Sequence, residues 1–121
     1  MPQMSIIVEY EINEGSMEDF SSLIRDHARR TLAEEPGCLR FEILQPVDDT
    51  GQPIVNRMMV SELYADETAA RAHGNRPRLN SLRSALGHLV KSRKQVTARV
   101  ENDDAEDSWL TTEEINASND N

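Results

Sequence analysis

The chain has 121 residues, 37% of them hydrophobic and only five aromatic, which suits one domain with a modest core. Its formal net charge of −9 is unevenly placed: residues 1–100 hold 14 acidic and all 13 basic side chains, whereas residues 101–121 hold eight acidic and none basic. The body is thus close to neutral, with no basic excess to neutralise a phosphate backbone, and this argues against a nucleic-acid partner. The single cysteine, Cys38, excludes an internal disulfide, no apolar run reaches membrane-spanning length, and the N-terminus lacks a signal-peptide pattern, so a soluble cytoplasmic protein without a membrane partner is expected.

Residues 4–12 alternate, with Ile6, Val8, Tyr10 and Ile12 on one side and Glu9 and Glu11 on the other, which predicts a half-buried strand. Gly15 breaks it. Ser16, three before Asp19, resembles an N-terminal capping box, and a helix is expected from about Met17 to Glu34 with Phe20, Leu23, Ile24, Ala28 and Leu32 as its apolar stripe. Pro36 and Gly37 stop it. Leu39, Phe41 and Ile43 then alternate with Arg40, Glu42 and Leu44 in a second strand.

The stretch from Pro46 to Pro53 reads as a turn, and a third strand follows from about Val55 to Tyr64. A turn centred near Gly51 would pair Leu39 with Leu63, Phe41 with Ser61 and Ile43 with Met59, and on the opposite face Arg40 with Glu62 and Glu42 with Val60. Asp66 can cap a short helix through His73, ended by Gly74. Pro77 opens another helix to about Val90, striped by Leu79, Leu82, Leu86 and Leu89. Val96, Ala98 and Val100 alternate in a last strand.

This order, βαββααβ, is a ferredoxin-like α+β pattern: a four-stranded antiparallel sheet with helices over one face. The other face, with Ile7, Leu44, Met58 and Val60 beside Glu9, Glu11, Arg40 and Glu62, lacks cover and suits a symmetric partner. We expect a domain over residues 1–101 and an acidic tail over residues 102–121, either flexible or packed on the dimer partner. In that tail Trp109 is a candidate for docking, and Thr111 stands at capping-box spacing from Glu114.

Two segments carry a family resemblance: Glu35-Pro36-Gly37-Cys38-Leu39-Arg40-Phe41-Glu42-Ile43-Leu44-Gln45, and Ser61-Glu62-Leu63-Tyr64-Ala65-Asp66-Glu67 running on to Ala72-His73. They resemble the E-x-G-x-L-R-F-x-x-L-Q run, the Y-E-x-Y-x-D-E run and the later A-H of the antibiotic-biosynthesis monooxygenase (ABM) domain over roughly residues 4–100. The resemblance implies a dimeric α+β barrel, two sheets packed face to face. It also implies an enzyme of small molecules: a cofactor-independent monooxygenase on a quinol-like aromatic, or, as alternatives, an isomerase of a small oxo or phosphorylated sugar-like metabolite, a non-catalytic ligand-binding dimer, or a haem-degrading protein. Many members carry a second histidine directly after a proline, where this chain has Arg78 after Pro77.

His73, on the helix that lips the pocket in that family, is the candidate base, with Tyr64 as a second catalytic polar group. Arg78 is a candidate anchor for an anionic substrate. Tyr10, Phe41, Met59 and Ser61 are expected to line the helix side of the sheet as core or substrate contacts. Arg40 and Glu62 are expected to form a structural ion pair on the dimer-facing side, the alternative being that Glu62 reaches the active cavity with Tyr64, as base and donor. His27 reads as a boundary residue of its helix stripe, and His88 as a residue on the polar side of its helix. Three dispersed histidines and a lone Cys38 do not make metal-ligand spacing, and no nucleotide or phosphate fingerprint is present, so neither metal nor organic cofactor is expected.

Overall fold

The alternating segments become strands and the amphipathic ones helices in the order β1 (Met4–Ile12), α1 (Met17–Glu34), β2 (Cys38–Leu44), β3 (Arg57–Tyr64), α2 (Glu67–Gly74), α3 (Pro77–Leu86) and β4 (Val90–Arg99). The structure is a computed structural model and describes residues 1–102. Trp109 and the pair Thr111 and Glu114 lie outside the described residues. The strands form one antiparallel sheet in the order β2-β3-β1-β4, with helices on one face: the ferredoxin-like α+β arrangement. Its core joins Val8, Tyr10 and Ile12 of β1, Phe20 and Ile24 of α1, Met58 and Val60 of β3, and Leu86 of α3. Among the described residues no helix is long and apolar enough to cross a membrane.

Several local expectations change. Ser16 precedes α1 but makes no side-chain capping bond. The buried stripe of α1 is Phe20, Ile24, His27, Ala28 and Thr31, and Leu32 is 47% exposed. A period of 3.6 carries the inward face from Phe20 through His27 to Thr31, so hydrophobicity alone misplaced its last turn. Helix α3 stops at Leu86, before Gly87, and the chain re-enters the sheet at Val90. Strand β4 is therefore longer than its apolar alternation suggests. As an edge strand it carries polar residues on both faces (Lys91, Ser92, Arg93, Lys94, Gln95).

The hairpin register is the consequential correction. Cys38 pairs with Tyr64 as alternation requires, but an irregularity between Cys38 and Arg40 inserts Leu39 as an extra residue. Beyond it Arg40 faces Leu63, Phe41 faces Glu62, Glu42 faces Ser61 and Ile43 faces Val60. The expected pairs Arg40–Glu62 and Phe41–Ser61 do not form. In β3 the buried side chains are Met58, Val60, Glu62 and Tyr64, opposite Tyr10, Val8, Ile6 and Met4 of β1. Met59 and Ser61 face the outer surface and are not pocket residues. Glu62 lies under the helices, and Arg40 instead pairs with Glu42 of its own strand at 3.0 Å.

Candidate active site

The site starts from the end of α1. Glu35 caps that helix in an extended conformation, its N–H donating to the Thr31 carbonyl, because Pro36 disfavours a helical residue before it. The turn carries the Glu35 side chain inward, where it is 5% exposed. Gly37 completes it: a Cβ there would stand 2.5 Å from the Ala69 Cβ of α2, so only glycine admits this approach. Ala65 N–H donates to the Gly37 carbonyl at 2.8 Å and ties β2 to the start of α2. Asp66 caps α2 through the Ala69 N–H at 2.8 Å, and the helix ends with His73 facing inward, 5% exposed.

These two buried residues meet. The Glu35 carboxylate oxygens lie 2.9 and 3.1 Å from His73 Nδ1. A carboxylate accepts, so Nδ1 carries a proton. Nε2 lies 3.5 Å from Glu62 Oε1. Tyr64, fully buried, donates its hydroxyl to the same oxygen at 2.5 Å. Burial pushes the Glu62 carboxyl above its usual range, partly offset by the Tyr64 bond and the His73 ring. Burial and the Glu62 carboxylate push the Tyr64 phenol far up, so it acts as a donor.

Two arginines hold the outer side of Glu35. Arg78 Nη2 donates to Oε2 at 3.0 Å, and Arg76 Nε lies 3.4 Å from the same oxygen without hydrogen-bond alignment. Arg78 also reaches Glu34 at 3.3 Å and places Nη1 2.9 Å from His27 Nδ1. A guanidinium only donates, so His27 Nδ1 accepts and its proton sits on Nε2, to which no described residue hydrogen-bonds. Burial, the His73 ring and the Arg78 charge lower the His27 pKa to about 4, keeping this imidazole neutral. Its ring lies 5.2 Å from that of His73 and edge-on to Phe41 at 5.4 Å.

A cavity of about 670 Å³ opens beside this cluster, between the β1–β4 half of the sheet and helices α2 and α3. His27, Phe41, Glu62 and His73 line one part of it, and side chains such as Val8, Val60, Leu79 and Leu82 supply apolar walls. Of the residues singled out from sequence, His73, Phe41, Tyr10, Glu62 and His27 line the cavity. Tyr64 sits behind Glu62, and Arg78 behind Glu35 and His27, so both position other groups. His88 is exposed beyond α3, and its carbonyl accepts from Asn13. The buried Cys38 thiol donates to the Arg40 carbonyl, and burial raises its pKa.

Sequence reasoning missed Glu35 and His27 as a cavity wall, and of its two readings of Glu62 the structure places the side chain as the alternative had it, inward beside Tyr64. Glu35 was read as part of a helix stop, yet an acid at the start of a Pro-Gly turn is the signal that could have found it. Among the described residues no three His, Cys, Asp or Glu side chains are arranged to hold a metal ion, and the carboxylate nearest His73 is taken by arginines.

This geometry sits in a known architecture. Similar solved structures include a protein of Nitrosomonas europaea described as a candidate antibiotic biosynthesis monooxygenase, 26% identical over 80% of this chain and 88% of that one, with a TM-score of 0.69. A second, of the same description from Caulobacter crescentus CB15, is 20% identical with the same coverage and a TM-score of 0.70. A variant of SnoaB, a cofactor-independent oxygenase from Streptomyces nogalater, is 18% identical over 81% of this chain and 92% of that one, with a TM-score of 0.66. Among curated proteins nothing matches. The family profile described as antibiotic biosynthesis monooxygenase matches residues 4–83, which hold the β2 run, β3 and the helix of His73. The chain belongs to the antibiotic biosynthesis monooxygenase (ABM) family.

Proposed function

We propose that the cavity is the active site of a cofactor-independent monooxygenase acting on a small quinol-like aromatic, with His73 as the base. The observation that carries this reading is the Glu35-oriented His73, whose Nε2 is directed towards the buried Glu62 carboxyl in the wall of the cavity. Nε2 takes the proton of a bound hydroxyl, and the electron-rich anion passes an electron to oxygen. Recombination at a ring carbon that bears one hydrogen, then loss of water, leaves a carbonyl: the hydroxyl and that carbon each give up one hydrogen, the substrate gains one oxygen atom, and the other oxygen atom leaves in the water. The His27 Nε2–H donates to the developing oxyanion, and Phe41 offers an aromatic edge. The sister chain covers the outer sheet face in a homodimer, and the protein works in the cytoplasm.

The test is oxygen uptake with chelator present and no added cofactor, across quinols and anthrones. We expect uptake in the wild type to fall by about a hundredfold or more in His73→Ala, the usual worth of a general base. Uptake equal to the spontaneous rate across the panel would overturn the reading. One observation favours a second reading: Glu62 and His73 stand 3.5 Å apart, and such a pair can move a proton between two carbons of an oxo compound. That isomerisation consumes no oxygen, so the same measurement separates the two.

A further inference from the structure

The cavity is polar at both ends, and its second end has no place in the proton chemistry above. Register fixes the layout. Glu62 faces Ile6 across one side of β1, and Arg93 faces Tyr10 across the other. Four residues along and two strands across put their Cα atoms about 16 Å apart. Around Tyr10 the wall is cationic: Arg83 from α3, and Lys91 and Arg93 from β4. The other cation of the wall, Arg71, is neutralised by Glu67 at 2.6 Å, and Lys91 pairs with Glu11 at 3.6 Å.

Arg83 and Arg93 differ from these. Among the described residues neither forms an ion pair. Arg83 donates to the Asn80 amide oxygen at 3.5 Å and Arg93 to the Gln95 amide oxygen at 2.6 Å; both charges act on Tyr10, with which Arg93 also hydrogen-bonds, and that of Arg93 reaches Glu62 as well. They stand on elements that face each other across the cavity. Two guanidinium groups outside any ion pair, on facing walls of the cavity, form a receptor for an anion. The body carries almost no net charge, so this is a local arrangement and not a general basicity.

We propose that the substrate carries an anionic group, a carboxylate in its simplest form, at the end remote from its reacting hydroxyl, and that Arg83 and Arg93 hold it. The ligand is then an elongated hydroxyaromatic acid: hydroxyl at His73 and Glu62, rings against the apolar walls, anion at the α3–β4 end. This rests on the cavity being the active site.

The test is calorimetric titration of the full chain with a hydroxynaphthoate bearing hydroxyl and carboxylate at opposite ends of the ring system, and with its neutral carboxamide. Neither probe needs to react. Wild type should bind the acid about tenfold or more tightly than the amide, the usual worth of a charge-assisted hydrogen bond. In the double variant R83Q/R93Q that preference should vanish, with amide affinity unchanged. Raising the ionic strength should weaken the acid alone, an arm that needs no variant. Equal affinity for both probes in wild type, or a preference that survives in R83Q/R93Q, would overturn the proposal and leave the active-site reading standing. Failure of both probes to bind wild type would overturn the active-site reading and this inference with it.

Discussion

Arg78 can only donate hydrogen bonds, and that property governs its neighbours. Because it donates to His27 Nδ1 at 2.9 Å, protonating His27 would break this bond and set two cations together in a buried place. Burial first, then the His73 ring and the Arg78 charge, lower the His27 pKa from 6.5 to about 4. The unfolded chain takes up a proton in that window and the folded one does not, so stability is full above pH 6.5 and declines as pH falls towards 4. The loss is on the order of 3 kcal/mol at most. His27→Gln keeps an acceptor for Arg78 and cannot titrate. Urea unfolding across this pH range should show the decline in wild type and its reduction in His27→Gln; equal declines would assign it to other groups. Glu35 is governed the same way. Glu35→Gln retains an acceptor for His73 Nδ1 but removes the charge that holds Arg76 and Arg78. We expect kcat to fall about ten- to hundredfold, the usual worth of a hydrogen bond to a charged group, with an altered pH–rate profile. An unchanged kcat and profile would remove Glu35 from the mechanism.

At the scale of elements, most of the fold was legible in the sequence. The bounds of β1 and α1 follow from alternation in Ile6, Val8, Tyr10 and Ile12 and from the Pro36-Gly37 stop, and they match the structure. The position of His73 followed from the Asp66 cap and the length of one short helix. What was not legible was which side of β3 faces inward. Met58-Met59-Val60-Ser61-Glu62-Leu63 sets two apolar residues and one polar residue on each face (Met58, Val60, Glu62 against Met59, Ser61, Leu63), so alternation cannot choose, and the extra residue Leu39 shifts the pairing by one. That one-residue error exchanged Glu62 for Ser61 in the site. Glu35 escaped because its role depends on contacts with α2 and α3, far along the chain. The Gly37–Ala69 approach is what fixes α2 against this turn. Gly37→Ala should destabilise by about 1–3 kcal/mol through overpacking and lower activity by moving His73 from Glu35. Adding Ala69→Gly removes the clash and should restore much of both in denaturant midpoint and rate. A double variant as impaired as Gly37→Ala would show that backbone freedom at Gly37, and not the contact, is what matters.

For the whole molecule, the outer sheet face is where a symmetric partner is expected. Its centre holds Ile7, Met59 and Leu63, half-buried in the single chain, with Leu44 and Val96 exposed towards its edges. Its charges come as opposed neighbours: Glu9 stands opposite Lys94 across the β1–β4 ladder, and Arg40 pairs with Glu42 at 3.0 Å. A face whose charges are already matched can be covered without stranding one, and its apolar centre gains from being covered. Two such sheets would pack about 10 Å apart. Ile7 lies on central β1, between Ser61 and Val96 in register, so it tests the contact most directly. We expect sedimentation equilibrium to give twice the chain mass for wild type and the single chain mass for Ile7→Glu. The variant should keep its circular dichroism, because Ile7 contributes nothing to the helix-side core. A wild type that sediments as one chain at micromolar concentration would show that this face stays open to water, and the cavity would then function within a monomer.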